Sequence, residues 1–269
     1  MSAPQKDFRV LHPAIALPRG KPAAERTLSV AEVFNSRQGE GKLTGVASHF
    51  IRLSGCNLRC WFCDTPYASW QPTGQPVAIS DLISGARGSG LQHVVLTGGE
   101  PLLFSGVETL VAGLRAAGLH VTIETAGTIA SRVGADLMSI SPKLSRSGPR
   151  WEKIRSQPHL QEISAEDARR WHRLHQRRRW APQAIGSLIQ AAIDYQVKFV
   201  VDGAADAEEV LAMVRQLSLP KQHVWIMPQG ITAKQLDHQR QWLQPWSDQQ
   251  GFQYCDRLQI HWYGNRPGT

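Results

Sequence analysis

The amino-acid sequence predicts an α/β fold, a partial TIM-type barrel of about six parallel strands joined by crossover helices. Short apolar runs alternate along the chain with segments whose apolar residues recur at helical spacing, which is typical of βαβ units. Most of the short runs are apolar throughout, as expected for strands covered by helices. The strand count falls below the eight of a complete barrel, so we expect a curved, incompletely closed sheet.

The strands are predicted from short apolar, β-prone runs that end at glycine or polar residues. They cover residues 46–53, 91–96, 119–123, 136–140, 197–201, 223–227 and 258–263.

The helices are predicted from apolar residues at helical spacing and from their terminal signals. Ser80 is a plausible N-cap for a short helix that ends near residues 85–90, and Gly118 is a natural stop for the next one. The other predicted helices cover residues 107–117, 166–179, 183–195, 206–217 and 232–246.

Domain organisation follows from composition and charge. Residues 1–27 carry four prolines and predict an irregular N-terminal arm, and residues 28–269 predict one domain with a basic insertion at about 146–180. The insertion holds ten of the 30 basic residues and four of the 22 acidic ones. It therefore carries +6 of the net charge of +8.

This charge admits two interpretations. A basic patch with Trp171 and Trp180 beside the arginines could bind tRNA or dock a partner, since aromatic rings stack on bases. The interpretation that we favour is a solvated, peripheral helix whose tryptophans anchor it to the domain or to a second subunit.

Targeting and membrane segments are absent from the sequence pattern. The first 27 residues contain no apolar run long enough for a signal peptide, and no run approaches the roughly 18 residues of a membrane span. Four cysteines are too few for a disulfide scaffold in 269 residues. We therefore expect a cytoplasmic protein.

Three of the four cysteines form a C-x3-C-x2-C motif, made of Cys56, Cys60 and Cys63. Three thiolates on one loop can hold three irons of a cubic iron–sulfur cluster, leaving the fourth iron for a substrate or cofactor. Zinc fits less well because it usually takes paired C-x2-C units with four ligands. Cys255 is a possible fourth ligand, but we favour a buried apolar role for it.

Several polar or glycine-rich segments follow predicted strands. In parallel α/β folds the ligand site lies at the carboxyl ends of the strands. We therefore expect a common site formed by the cysteine loop and by segments 98–100, 124–125, 141–143 and 228–230.

The cysteine triplet resembles the signature of radical S-adenosylmethionine (SAM) enzymes. Further segments resemble the 7-carboxy-7-deazaguanine synthase family over residues 28–145 and 195–269. They are Gln38-Gly39-Glu40-Gly41 with Thr44-Gly45, residues 124–128, Ser141-Pro142-Lys143, residues 198–201, Met227-Pro228-Gln229-Gly230 and residues 264–268.

The resemblance implies a radical SAM lyase that converts 6-carboxy-5,6,7,8-tetrahydropterin to 7-carboxy-7-deazaguanine with loss of ammonia. This reaction belongs to the biosynthesis of queuosine and other 7-deazapurines. The implied cofactors are a [4Fe-4S] cluster, SAM and Mg²⁺. The implied partners are the pterin substrate, an electron donor such as a flavodoxin or ferredoxin, and a second copy of the chain in a homodimer, with no need for nucleic acid or a membrane.

The resemblance also implies roles for individual residues, and it assigns no side chain as an acid or base. The expected cluster ligands are Cys56, Cys60 and Cys63, and the expected magnesium ligand is Thr65. The expected SAM contacts are Gly99, Glu124, Ser141, Pro142, Lys143, Met227, Pro228, Gln229 and Gly230. The expected substrate contacts are Arg37, Gln38, Gly39, Arg52, Thr97 and the terminal carboxylate on Thr269.

Two alternatives stay open at this point. A glycyl-radical-enzyme activase shares the small barrel and the cysteine spacing. A non-catalytic protein would use the triplet with Cys255 to bind zinc and the arginine-rich segment to bind RNA.

Overall fold

The structure is a computed structural model, and it describes residues 26–269. The predicted N-terminal arm, residues 1–27, lies outside the described residues except for its last two. The strands are β1 (Thr27–Arg37), β2 (Ala47–Leu53), β3 (Gln75–Ala78), β4 (His93–Gly98), β5 (His120–Thr125), β6 (Leu137–Ile140), β7 (Asp194–Val201), β8 (Val224–Pro228) and β9 (Gln253–Tyr254). The helices are α1 (Pro66–Ser69), α2 (Ile79–Gly88), α3 (Val107–Ala116), α4 (Trp151–Ile154), α5 (Ala165–Arg178), α6 (Pro182–Ala191), α7 (Ala207–Gln216), α8 (Ala233–Gln250) and α9 (Leu258–Tyr263).

The strands form one sheet in the order β3-β1-β2-β4-β5-β6-β7-β8-β9. From β2 onward each strand pairs in parallel with the next, whereas β1 runs antiparallel to both β2 and β3. Because the order does not reverse from β2 to β9, this part of the sheet winds in one direction, as it does in a barrel. The six longer parallel strands β2 and β4–β8 match the predicted number, and the fold class is confirmed.

Alternation along each strand separates a helix-covered face from an inner face. Val94 and Leu96 of β4 belong to the main apolar core, whereas Val95 packs with Phe34 and Phe50 in a small separate cluster. Because side chains alternate, Thr97 lies on the same inner face as Val95. The same alternation selects the inner residues of the other strands, and most of the cavity-lining strand residues described below come from these positions.

The terminal part of the prediction is wrong in one place. Residues 258–263 form the helix α9 rather than a strand. Residues 258–262 alternate apolar and polar side chains, which favours a strand, but the run is too short to decide the structure. The fold decides, since the amide of Leu258 donates to Gly39 O at 3.0 Å and Gly264, at φ 74°, ends the helix.

Other helix boundaries also differ from the prediction, and α8 ends at Gln250 rather than at residue 246. The predicted helix 183–195 ends at Ala191, and Tyr195 instead pairs with Met138 in the sheet. The residues around Tyr195 suit a helix or a strand, and pairing with β6 makes them a strand. Ser80 is not an N-cap, because α2 already begins at Ile79 with Ala78 as its N-cap.

Strand β1 was missed by the sequence analysis. Its 11 residues mix charged and apolar side chains, and a register shift between Val30 and Glu32 interrupts its pairing with β2. That irregularity hides the alternation by which a strand is recognised. Among the helices of residues 26–269, none is long and apolar enough to cross a membrane.

Candidate active site

The carboxyl ends of the parallel strands surround a cavity of about 260 Å³. Sixteen of the 19 residues predicted for the site line it. They are Arg37, Gln38, Gly39, Arg52, Cys56, Cys60, Cys63, Thr65, Thr97, Gly99, Glu124, Ser141, Lys143, Met227, Gln229 and Thr269. The three that do not line it are Pro142, Pro228 and Gly230. The topology thus brings together residues that lie up to 232 positions apart in the chain.

The cysteine loop runs from the end of β2 to the start of α1 and holds its three thiols against the cavity. The amide of Leu58 donates to the sulfur of Cys56 at 3.3 Å, and the hydroxyl of Ser69 lies 3.0 Å from the sulfur of Cys63. Burial raises the pKa of Cys56 to about 12 and also raises the pKa values of the other two thiols. Metal binding at this loop therefore has to displace protons.

The three thiols are the donors that this loop offers to a metal centre. Within residues 26–269, no three His, Cys, Asp or Glu side chains stand close enough together to hold one metal ion. The loop thus presents soft donors of the type that iron–sulfur clusters take.

Cys255 lies in a different environment. It is buried, and the charged groups with the largest effects on its thiol are Lys198 and Glu40. Burial raises its pKa to about 12, and its amide donates to Ile226 O in the sheet. These neighbours support the apolar, structural role that the sequence favours for this residue.

The turn after β4 is fixed by close backbone packing. A methyl group on Gly99 would lie 2.2 Å from Gly55 O and 2.5 Å from Ala68 O. The turn needs glycine because the cysteine loop approaches it closely. The neighbouring Glu100 is fully buried, and its carboxylate accepts hydrogen bonds from the amide of Ala126 and the hydroxyl of Thr125 at 2.8 and 2.7 Å.

A cluster of charged residues forms one wall of the cavity: Glu40, Lys198, Arg257, Glu124 and Asp64. We call it the buried charge cluster after its two buried cations, Lys198 and Arg257, although Asp64 is exposed. Lys198 forms an ion pair with Glu40 and lies 3.9 Å from Glu124, and Arg257 contacts Glu40 at 3.3 Å and pairs with Asp64. Burial opposes ionisation of Glu40, but the two cations outweigh it and lower its pKa to about 2. The cavity wall is therefore charged and held by paired groups.

Sequence reasoning found part of this cluster and missed the rest. Glu124 was predicted, and it accepts hydrogen bonds from Gln38 at 3.1 Å and Thr97 at 3.2 Å. Lys198 was quoted only as part of a motif, although a lysine inside an apolar strand is itself a signal. Arg257 was missed entirely, and no local pattern marks it; it also donates to Gly230 O at 2.6 Å.

Three predicted substrate contacts already have partners within the protein. Arg52 pairs with Glu32 at 2.6 Å, and Arg37 lies over the ring of Trp262 at 4.6 Å. The hydroxyl of Thr269 donates to a main-chain oxygen at 2.7 Å, while the residue still lines the cavity. Their roles toward a substrate stay predictions.

The basic segment, residues 146–180, is not peripheral. Its side chains Ile154, Leu160 and Ala168 form an apolar cluster with Trp61 and Trp70 of the cysteine-loop region. The predicted helix is present as α5, but only one face of it is solvated. The segment is therefore solvated on one side, while Trp171 and Trp180 pack against apolar clusters of the domain.

His175 connects α5 to the cysteine loop from within the protein. It is 1% exposed, and its Nδ1 accepts a hydrogen bond from the amide of Arg59 at 3.2 Å. Because Nδ1 accepts, the ring proton lies on Nε2, which donates to Ser147 Oγ at 2.9 Å. The Ser147 hydroxyl then donates to Leu144 O at 2.6 Å. A neutral imidazole thus links the loop to the segment after β6.

We expect His175→Ala to lower the free energy of unfolding by about 3 kcal/mol, because it leaves a cavity and two unpaired polar groups. Urea unfolding measures this, and iron content after reconstitution reports the state of the loop. The matched control is His159→Ala, a half-buried histidine of the same segment whose Nε2 has no hydrogen-bond partner. Equal losses in the two variants would contradict the linking role.

The contribution of His175 to the stability of the protein decreases as the pH falls. Burial, with a smaller effect of Arg179, lowers the pKa of His175 from 6.5 to about 3. Its contribution is complete above pH 6.5 and is lost as the pH falls toward 3. The native protein should lose about 2 kcal/mol between pH 7.5 and 5 that His175→Ala does not lose.

Comparisons with known proteins agree with this geometry. Residues 50–143 match the family model of the radical SAM superfamily. A 7-carboxy-7-deazaguanine synthase of Rhodopirellula baltica is 51% identical over 247 residues, which are 92% of this chain and 91% of the relative. A synthase of Halobacterium salinarum is 36% identical, covering 90% and 93%. The crystal structure of QueE from Escherichia coli matches with a TM-score of 0.60 at 21% identity, covering 86% of this chain and 93% of that one, and it supports the fold.

The partial barrel, the C-x3-C-x2-C loop at its open end and the family match define a radical SAM enzyme. Such an enzyme uses a [4Fe-4S] cluster and SAM. More narrowly, identity over nine-tenths of the sequence shows that the chain belongs to the 7-carboxy-7-deazaguanine synthase family.

Proposed function

We propose that this chain converts 6-carboxy-5,6,7,8-tetrahydropterin to 7-carboxy-7-deazaguanine with loss of ammonia. The observation that carries the proposal is the single cavity that joins the cysteine loop to the buried charge cluster. The family membership supports the same reaction, and neither the activase nor the zinc-binding alternative has a comparable observation in its favour.

When bound, the cluster and SAM supply a hydrogen-abstracting radical by one-electron cleavage of SAM. The residues of the chain hold and shield this chemistry. Cys56, Cys60 and Cys63 would hold the cluster with their three thiolates, and SAM would bind at the position that they leave open. Trp61 and Trp70 are buried beside the loop and exclude water from it.

The SAM contacts follow from the strand ends. The ammonium of Lys143 lies 2.8 Å from the hydroxyl of Ser141, and both groups face the cavity, where they suit a carboxylate and a ribose. Met227 and Gln229 line the same cavity from the end of β8. Pro142, Pro228 and Gly230 act in this proposal by shaping the main chain of these two segments.

The substrate contacts occupy the inner faces of the first strands and the C-terminal segment. The amide of Gln38 and the hydroxyl of Thr97 hold Glu124, whose carboxylate can accept from the N–H groups of a pterin edge. Thr269 lines the same cavity and offers a second oxygen acceptor. Gly39, Arg37 and Arg52 complete the proposed set from β1, its following turn and β2.

Thr65 fits a magnesium ligand because it lines the cavity and carries a hydroxyl oxygen. It is the N-cap of α1 but makes no side-chain capping bond, and its hydroxyl forms a long hydrogen bond with the sulfur of Cys63 at 3.7 Å. Mg²⁺ takes oxygen ligands and keeps open positions for substrate oxygens. In this proposal the substrate carboxylate binds there.

We expect Thr65→Ala to raise the Mg²⁺ concentration that gives half-maximal turnover by about tenfold, since one oxygen ligand is lost. Turnover measured against Mg²⁺ concentration tests this, and Thr65→Ser should restore the response because it keeps the oxygen. The control is Thr73→Ala, whose hydroxyl makes a bond to Tyr67 O on the outside of the same region. An unchanged magnesium response in Thr65→Ala would remove the residue from the site.

We also propose an electron donor, a homodimer and a cytoplasmic location for this chain. An acidic one-electron carrier, a flavodoxin or ferredoxin, reduces the cluster, and two copies of the chain form a homodimer. The pterin is a free small molecule, so the reaction requires no nucleic acid. A cytoplasmic location suits thiols that must stay reduced. The proposed organisation is an arm of residues 1–27 and a domain of residues 28–269 that includes the basic segment.

The test is anaerobic reconstitution followed by turnover. Iron and sulfide should give a brown, oxygen-sensitive protein with about four irons per chain. Incubation with SAM, dithionite, Mg²⁺ and 6-carboxytetrahydropterin should then yield the 7-deazapurine product. A protein that binds one zinc and no iron, or a fully loaded protein that forms no product, would overturn the proposal.

A further inference from the structure

Helix α5 presents an exposed arginine face on the side opposite to its buried one. Ala168 and His175 face the protein and are 1% exposed each. The exposed residues on the other side of the helix are Glu166 and five arginines. The five arginines are Arg169, Arg170, Arg173, Arg177 and Arg178, which we call the arginine face.

The charges of this face are not neutralised by the described part of the chain. Within residues 26–269, no carboxylate lies within 4 Å of any arginine of the face, whereas Arg146, Lys153 and Arg179 of the same segment each pair with an acidic residue. Residues 169, 173 and 177 are spaced four apart, so their like charges repel one another. Helix stability alone does not explain them, since only the last turn gains from positive charge.

The arginine face lies directly over the cysteine loop. Arg178 donates to the main-chain oxygen of Asn57 at 3.2 Å, and Asn57 follows the first cysteine of the motif. Trp171 lies between the face and the loop. The guanidinium of Arg59 stacks over its ring, 4.4 Å from the ring centroid. One helix therefore separates the face from the thiols that hold the cluster.

The aromatic residues of the segment argue against RNA as the occupant. Trp171 is half-buried between Arg59 and Arg170, which contact its ring at 4.4 and 5.6 Å. Trp180 packs on the main core, and its ring nitrogen donates to Gln216 at 3.1 Å. Neither ring is free to stack on a base, whereas the charge of the face needs only an acidic surface.

We propose that the arginine face docks the acidic one-electron carrier protein that reduces the cluster. This inference rests on the proposed function, because it assigns a surface to the electron donor of that reaction. One electron leaves the reduced carrier, which is oxidised by one equivalent, and enters the cluster, which is reduced by one equivalent. No bond or proton is transferred. Complementary charge steers the encounter and holds the two redox centres close together.

The experiment compares two reductants on the reconstituted enzyme. The test variant combines Arg169→Glu, Arg173→Glu and Arg177→Glu. The matched control combines Arg87→Glu, Arg215→Glu and Lys234→Glu, three exposed basic residues without an ion pair among the described residues. Both variants change the net charge equally, and iron content with thermal unfolding checks that both are intact.

With a reduced flavodoxin as donor, the test variant should show a KM for flavodoxin at least about tenfold higher than the native enzyme. The control should change it by less than about twofold, since its residues lie elsewhere. Salt should raise the native KM and have little effect on that of the test variant. With dithionite, all three proteins should turn over equally.

Three results would overturn the inference. The first is a flavodoxin KM that is the same in test and control variants. The second is a fully loaded test variant that loses dithionite turnover, since the face would then act on the chemistry. The third is loss of tRNA binding with unchanged flavodoxin kinetics, which would assign the face to RNA. Failure of the proposed function is separate, because the native enzyme would then give no product with dithionite.

Discussion

Cys60→Ala is expected to abolish product formation and SAM cleavage and to reduce the iron content sharply. Cys60 occupies the middle of the motif, and the remaining loop can offer thiolates to only two irons. Cys255→Ala is the matched control, since this thiol is also buried but lies beside Lys198 and Glu40. It should keep its iron and its activity and lose about 1 kcal/mol of stability.

Iron and zinc analysis after anaerobic reconstitution, together with turnover, checks this pair of variants. If Cys60→Ala keeps its iron and turns over, the cluster assignment is wrong. If Cys255→Ala loses its metal as well, the thiol is a fourth ligand and the zinc interpretation returns. The comparison therefore separates the two donor sets that the sequence left open.

The position of the site could be predicted because parallel strands place their carboxyl ends together. Thr97 and Ser141 lie at strand ends, and both line the cavity as expected. Arg257 could not be predicted, since it follows a short strand in a region without a recognisable pattern. Only the tertiary fold brings it beside Asp64, from which it is separated by 193 residues.

Composition alone did not show how the basic segment packs. Its charge was visible in the sequence, but the buried residues of its helix α5 are Ala168 and His175, one small and one polar residue. Neither adds a strong apolar signal, so this helix resembled a solvated one. The hydrogen bond from the amide of Arg59 to His175 joins α5 to the cysteine loop. It could not be predicted, because it forms only in the folded structure.

Lys198→Met is expected to destabilise the protein by about 3–5 kcal/mol, because it leaves Glu40 and Glu124 buried with one cation fewer. The side chain of Lys198 is 5% exposed, so water cannot replace the lost ammonium. The matched control is Lys42→Met, which breaks the ion pair with Asp194 at a position where the lysine side chain is 47% exposed. It should cost less than about 1 kcal/mol.

The loss of stability in Lys198→Met should depend on pH, because it arises from an unpaired charge. Glu40 has a pKa lowered to about 2, so its contribution to stability is complete above pH 4.5 and is lost as the pH falls toward 2. In Lys198→Met that pKa rises, and protonation relieves the unpaired carboxylate. The difference between variant and native protein in urea unfolding should therefore be smaller at pH 4 than at pH 7. A difference that is independent of pH would show that packing, rather than the buried charge cluster, sets the cost of losing Lys198.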